Sequence, residues 1–332
     1  MTGKPGPSQR RAKAAAPGGP RTPPVLAAGD SVAFISPSSH QGDAAADLRR
    51  EGAAILTAWG LRVVNADEPE TRHLYFAADD AQRAARFESL YCDPAVKALF
   101  FTRGGYGAAR MLPLLDGPRL AAAPEKLVVG FSDATALFAY LHTVVGVSVL
   151  HGPCVAAAGF LNGPLDEAGL EALRLALFEP GHRPAFSVNP LPGGAADARE
   201  VEGVVLGGSL AVLVTVLGTN WEPDTRGAIL FLEDVNEAPY RIDRMLTHLR
   251  TAGKFEGLRG IVFGHLRDCD DDPPGLLDEV LRDLFQDAPF PVATGLPAGH
   301  GTPNLALPLG RKARLSLPRA GSGGEGRLQF MP

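Results

Sequence analysis

The chain has 332 residues, 45% of them hydrophobic, which is enough for two domains and a sizeable buried core. A formal net charge of −5 argues against a nucleic-acid partner or a polybasic hold on a membrane, and no apolar run nears the roughly 18 residues a membrane span needs. Cys92, Cys154 and Cys269 lie far apart with no CxxC pair, which gives neither a disulfide framework nor a zinc pattern and fits a reducing compartment.

Residues 1–27 are rich in Pro, Gly, Ala and basic groups, including Arg10, Arg11 and Lys13, with no apolar h-region. They read as a disordered tail rather than a secretory signal. From Asp30 the pattern becomes β/α. Ser31–Ile35 reads as a strand, Asp43–Trp59 as a helix with Leu48, Ile55 and Leu56 on one face, and Arg62–Val64 as the next strand. Ala81–Leu90 reads as a helix and Val96–Phe101 as a strand running into the RGGYG turn, Arg103–Gly107, ahead of a helix over Ala108–Leu115. Leu127–Val129 is a short strand, followed by Gly130-Phe131-Ser132-Asp133-Ala134 and apolar positions Leu137, Phe138 and Leu141 of a helix reaching about Val145. A strand near Val147–Leu150 closes this half.

Residues 159–200 hold a helix near Leu165–Phe178 and a Pro/Gly/Ala stretch, and read as the connection between domains. The second half begins near Val201, with a strand Val201–Leu206, a Gly207-Gly208 turn and a helix Ser209–Leu217. Ala228–Leu232 is a strand ending in Glu233-Asp234-Val235-Asn236-Glu237, and Pro239–Arg250 is a helix with proline at its start. Gly260–Gly264 and Val292–Leu296 read as strands around a helix Pro274–Phe285. Gly299-His300 follows the second of these, and β-like segments Leu305–Leu307 and Ala313–Leu317 end the chain. The predicted fold is therefore α/β, with an N-terminal parallel-sheet domain over 28–158 and a second β/α domain over 201–332.

Sites in parallel sheets form beyond the carboxyl ends of strands. Ser132, Glu233 and His300 all stand there. A serine on a strand–turn–helix elbow is the G-x-S-x-G geometry, here spelled G-F-S-D-A with Ala134 in the last place. A serine hydroxyl needs a base, histidine is the usual one, and a carboxylate fixes its tautomer. Each residue also has a plainer reading. Ser132 or Asp133 could cap the following helix, Glu233 could be a solvated acid, and His300 a surface or core histidine. A separate cluster, His265 with 268–272 (DCDDD), could hold a metal, but acid runs are usually solvated and no HExxH or paired-His spacing is present, so no metal or other cofactor is expected.

Seven blocks in order resemble the LD-carboxypeptidase family of serine peptidases, which includes the microcin-immunity peptidases. They are Arg103–Gly107, Gly130–Asp133, Gly152-Pro153, Gly207–Leu210 (GGSL), Leu232–Asp243, Gly295–His300 (GLPAGH) and Leu307–Gly310. The resemblance implies a Ser132–Glu233–His300 triad, with the N-terminal α/β domain bearing the serine and a C-terminal swivelling β/α domain bearing the acid and base. Asp133 N–H is one expected oxyanion donor and Gly105 of the RGGYG turn the other. The implied activity is release of terminal D-alanine from an L-centre of muropeptide tetrapeptides, in cytoplasmic recycling of cell-wall fragments. A carboxypeptidase must bind a free carboxylate, and Arg103 is a candidate partner, as Glu237 and Arg241 are candidates for other substrate contacts. Their plainer readings are a surface ion pair for Arg103 and an i,i+4 pair for Glu237 and Arg241. A homodimer is an expectation of the resemblance alone. Alternatives are the same chemistry on a peptide–nucleotide toxin or other peptide, and a non-catalytic muropeptide-binding protein. GGSL carries Ser209 where the family often has Asn, and the only tryptophans are Trp59 and Trp221; the 180–200 loop has none to stack a nucleobase, which favours the cell-wall branch.

Overall fold

β-branched and aromatic runs become strands buried on both faces, as parallel sheets covered by helices require. The computed structural model describes residues 21–22, 24–42, 45–68, 71–157, 167–191, 200–270, 273–318 and 324–332, so most of the expected tail lies outside the described residues. In chain order the first half contains β1 (Ser31–Ile35), α1 (Ala45–Ala58), β2 (Arg62–Val63), α2 (Asp80–Cys92), β3 (Val96–Phe101), α3 (Ala108–Met111), α4 (Gly117–Ala122), β4 (Leu127–Gly130), α5 (Ala134–Tyr140) and β5 (Val149–His151). The expected helix over Ala108–Leu115 shortens to α3 because Pro113 turns Leu112–Leu114 into a 3₁₀ segment.

The second half contains α6 (Glu167–Phe178), β6 (Ala185–Pro190), β7 (Glu200–Ser209), α7 (Leu210–Thr215), β8 (Ala228–Val235), α8 (Pro239–Thr251), β9 (Gly260–Arg267), α9 (Leu276–Phe285), β10 (Val292–Thr294), β11 (Leu307–Leu309), β12 (Lys312–Ser316) and β13 (Gly326–Phe330). The first sheet has six strands in the order β11-β5-β4-β3-β1-β2. Its first-half strands run parallel, and β11 joins the edge antiparallel to β5, with Leu307 opposite His151 and Leu309 opposite Val149. The other strands close a barrel, β10-β6-β13-β12-β7-β8-β9. Only β7, β8, β9 and β10 pair parallel within it, so the β/α expectation holds for that arc, and the antiparallel strands complete the closure. β6 lies inside the stretch read as a connection, and pairs with β13 and β10.

Two apolar layers hold the fold. Val32, Phe34, Ala98 and Phe100 face Leu56 of α1 and Leu173 and Leu177 of α6 on one side of the sheet. On the other side Ile35, Leu99 and Phe101 join α5 in a cluster continuous with the barrel strand β8 and with Leu246 of α8. The halves thus share one core. The alternation of buried residues along β1 and β3 between these layers follows from the strand period of two.

Gly207-Gly208 is not a turn, because β7 runs through it to Ser209. Both glycines have positive φ, +126° and +136°, and both permit contact that a side chain would block. A Cβ at Gly207 would collide with the Phe231 carbonyl, and one at Gly208 with Thr135 Oγ1 of α5. Ser209 N–H donates to that same Thr135 hydroxyl at 3.0 Å, and Ser209 Oγ accepts from Val212 N–H to cap α7. Gly207→Ala should cost about 3 kcal/mol or more, from strain plus collision. Gly218→Ala, at φ +77° with open space around it, should cost about 1 kcal/mol. Urea unfolding of both variants checks the difference.

Candidate active site

The β4–α5 turn places Ser132 in the left-handed region, at φ +64°. That conformation is uncommon for a residue with a Cβ and stores about 1–3 kcal/mol. The surroundings enforce it. Gly130 lies against Phe101, where a Cβ would come within 2.8 Å, and Thr135 N–H donates to Ser132 O at 2.9 Å. The capping alternative does not hold for Asp133, whose side chain makes no cap bond to α5. Its carboxylate instead accepts from Ser38 Oγ at 2.6 Å and from Ala108 N–H at 2.8 Å, the first residue of α3. Asp133 therefore locks the GFSD turn to the RGGYG turn and to the end of β1. Burial pushes its carboxyl above the usual range, against the two hydrogen bonds and the Arg83 charge.

Glu233 sits in β8 and is fully buried. His300 follows β10, and its backbone N–H and ring Nδ1 both meet Glu233 Oε2, at 3.1 and 2.6 Å. His300 Nε2 then faces Ser132 Oγ at 3.0 Å. The three residues foreseen from strand ends are thus one hydrogen-bonded chain, closed across 168 residues of sequence. Gly299 makes the Glu233 contact possible: its φ is +109°, and a Cβ would lie 2.5 Å from Glu233 Oε2. Phe131 packs on the His300 ring at 5.0 Å between centroids, and His151 lies behind, between Phe131 and Phe231.

Burial pulls the His300 pKa down, but the hydrogen bond and charge of Glu233, with the charge of Asp234, outweigh it, so it stands above the usual histidine value. Asp234 is pushed up to about 6 by burial, and it accepts Ala211 N–H at 2.7 Å near the start of α7. His151 is driven to about 4 by burial, so it stays neutral near pH 7 and adds no cation to the cluster.

The remaining expected residues are dispersed around this chain. Gly104 leaves the space beside Ser132, since a Cβ there would lie 2.8 Å from Ser132 Cβ and 3.5 Å from Asp133 N, whereas Gly105 bends onto Ser39. Arg103 is half-buried and donates to His40 O at 3.1 Å. Glu237 and Arg241 pair at 3.4 Å as the i,i+4 spacing predicts, and Arg241 also reaches the Tyr240 hydroxyl at 3.2 Å. Arg267, at the end of β9, reaches His300 O at 3.5 Å and was not anticipated; a cation closing a strand beside the site is the signal that could have found it. Ser38 was missed as well, although it also follows a strand end. His265 turns to Pro303 O at 2.9 Å, Asp268 pairs with Arg267, and Asp270 binds Gly275 N–H at 2.7 Å, so these cluster members point to separate partners. No group of three His, Cys, Asp or Glu suited to a metal occurs among the described residues.

A serine on a strained elbow, bonded to a histidine held by a buried carboxylate, is the arrangement of serine hydrolases. Residues 32–152 match the LD-carboxypeptidase N-terminal domain and residues 202–315 its C-terminal domain, so the chain belongs to the LD-carboxypeptidase family, whose members are serine carboxypeptidases. It is 36% identical to a putative carboxypeptidase of Synechocystis, over 93% of this chain and 97% of that one. It is 30% identical to the murein tetrapeptide carboxypeptidase of Pseudomonas aeruginosa, over 86% of this chain and 92% of that one. The crystal structure of muramoyltetrapeptide carboxypeptidase from Oxalobacter formigenes superposes with a TM-score of 0.78 at 30% identity, covering 91% of this chain and 99% of that one.

A base must be unprotonated to accept a proton, so a raised His300 pKa moves the loss of reactivity to higher pH. Labelling of Ser132 by a serine-directed fluorophosphonate should rise with pH through a midpoint above about 6.5. Glu233→Gln should lower both the midpoint and the rate. Stability runs the other way: the raised pKa favours the folded state below the unfolded histidine pKa, and this contribution fades as pH rises through the folded value. Labelling rates from pH 5 to 9 on both proteins test the assignment.

Proposed function

We propose that the protein is a serine LD-carboxypeptidase that releases the terminal D-alanine of muropeptide tetrapeptides in cytoplasmic peptidoglycan recycling. The observation that carries this reading is the Ser132–His300–Glu233 chain, at 3.0 and 2.6 Å. His300 Nε2 takes the Ser132 proton as the oxygen attacks the scissile carbonyl. Glu233 holds the imidazole in the tautomer with Nδ1 protonated and stabilises the imidazolium. The developing oxyanion is met by Asp133 N–H and by an amide of the Gly104-Gly105 turn. His300 then protonates the departing D-alanine amine, and water, activated by the same imidazole, releases the peptide from the acyl-enzyme.

Arg103, beside the turn, is the proposed partner of the substrate's terminal carboxylate. Glu237 and Arg241 are secondary candidates, weakened by their engagement with each other. The three unpaired cysteines support a reducing compartment.

The deciding experiment is D-alanine release from L-Ala-D-Glu-meso-diaminopimelate-D-Ala by wild type and Ser132→Ala side by side. Release by wild type with a loss of roughly 10⁴-fold or more in the variant is expected. No release by wild type, with Ser132 still labelled by fluorophosphonate, would leave the nucleophile and remove the substrate. Tight muropeptide binding without turnover, unchanged in Ser132→Ala, would make the protein a binder.

A further inference from the structure

A buried polar atom without a partner costs stability, so two such groups beside a reactive centre call for a reason. Glu233 Oε2 receives both donors of His300, whereas Oε1 is buried and meets none among the described residues. His151 is fully buried as well, and neither its Nδ1 nor its Nε2 is bonded to any described residue. The mechanism above uses neither group. An apolar side chain would fill position 151 without this cost, because the ring packs edge-on against Phe131 and Phe231, at 6.0 and 5.0 Å between centroids.

The fold fixes this histidine beside the acid. β5 lies between β4 and β11, and His151 is paired with Gly130 on one side and Leu307 on the other. It therefore stands between the strand that leads to Ser132 and the strand that follows His300. Phe231 and Glu233 are two residues apart on β8, so their side chains leave the same face. A Cβ at Gly264 would lie 2.7 Å from Phe231 Cε2 and 3.2 Å from Glu233 Cβ, which sets the two side by side. Phe131 in turn packs on both His151 and His300. We propose that His151 is a positioning residue for Glu233: one enclosed water accepts its ring N–H and donates to Glu233 Oε1. A neutral imidazole has one N–H to give, and burial holds His151 neutral, driven to about 4. Buried waters take up polar groups of this kind. With Oε1 satisfied, the carboxylate keeps its charge, and Oε2 stays aimed at His300. This rests on the Ser132–His300–Glu233 part of the proposed function and on no particular substrate.

Loss of a donor destabilises the deprotonated Glu233–His300 pair, so the pair takes up its proton at higher pH, whichever member carries it. The charges acting on His300 are Glu233 and Asp234 of β8 and Arg267 of β9, and those acting on His151 are Glu233 and His300. His151→Leu removes the N–H and leaves all of these in place. The midpoint of fluorophosphonate labelling of Ser132 should then rise by about one pH unit, the scale of a hydrogen bond to a charged group. His151→Asn and His151→Gln put an amide N–H near one ring nitrogen or the other, and one of them should bring the midpoint back. A midpoint unmoved in His151→Leu, with a rate loss equal at every pH, is the mark of packing alone and overturns the inference, as does failure of both amides to restore it. The ¹⁵N titration of the His300 ring reads the same shift without any reaction. If Ser132 is never labelled and the His300 midpoint still moves in His151→Leu, the serine assignment falls and the positioning role stands. In a crystal structure, a water within hydrogen-bond reach of His151 and Glu233 Oε1 supports the bridge, and a dry apolar contact at Oε1 overturns it.

Discussion

A carboxylate taken wholly out of water is tolerated only where donors converge on it, and Glu233 receives two from one residue. Because the backbone and the ring of His300 bind the same oxygen, the main chain and the imidazole are oriented together. Several local features follow from this demand. Gly299 must lack a side chain, and Gly264 must as well, since a Cβ there would press on Ala298 O and lie 3.2 Å from Glu233 Cβ. The aromatic wall of Phe131, His151 and Phe231 packs around the pair, and burial keeps His151 neutral there.

The serine side answers with a second framework of its own. There the buried anion is Asp133, and its donors come from the end of β1 and the start of α3. Each half thus carries one buried acid that holds loops in place, and the two frameworks meet at the contact between Ser132 and His300. The halves are aligned by packing rather than by charge: α5 is buried along its whole length, and Gly208 and Ser209 press directly on Thr135.

The strand ends bearing Ser132, Glu233 and His300 were legible because apolar runs stop there and chemistry-bearing side chains begin. The glycines around them were legible as punctuation but not as contacts. Gly207-Gly208 looks like a turn to a local reading, yet what it accommodates is a carbonyl and a hydroxyl brought in from distant segments. Asp133 looked like a cap for its own helix and serves another one, because a buried carboxylate takes whichever donors the fold delivers. β6 and β13 are short, alternate buried and exposed residues, and sit among Pro and Gly, so neither stood out from loop before the barrel closed around them. That Ser132 and His300 touch is a tertiary fact with no local trace.

The antiparallel pair β5–β11 acts as a ruler. β5 follows α5, β11 follows His300 by a few residues, and the register Pro308 opposite Leu150 sets their offset. A slip of two residues would displace one strand by roughly 6–7 Å, beyond any hydrogen bond between Ser132 and His300. β11 covers β5, which would otherwise be a bare edge of the first sheet. One short stretch, from His300 through β11, supplies both that edge and the imidazole facing Ser132. The sheet edge and the Ser132–His300 contact are thus made or lost together.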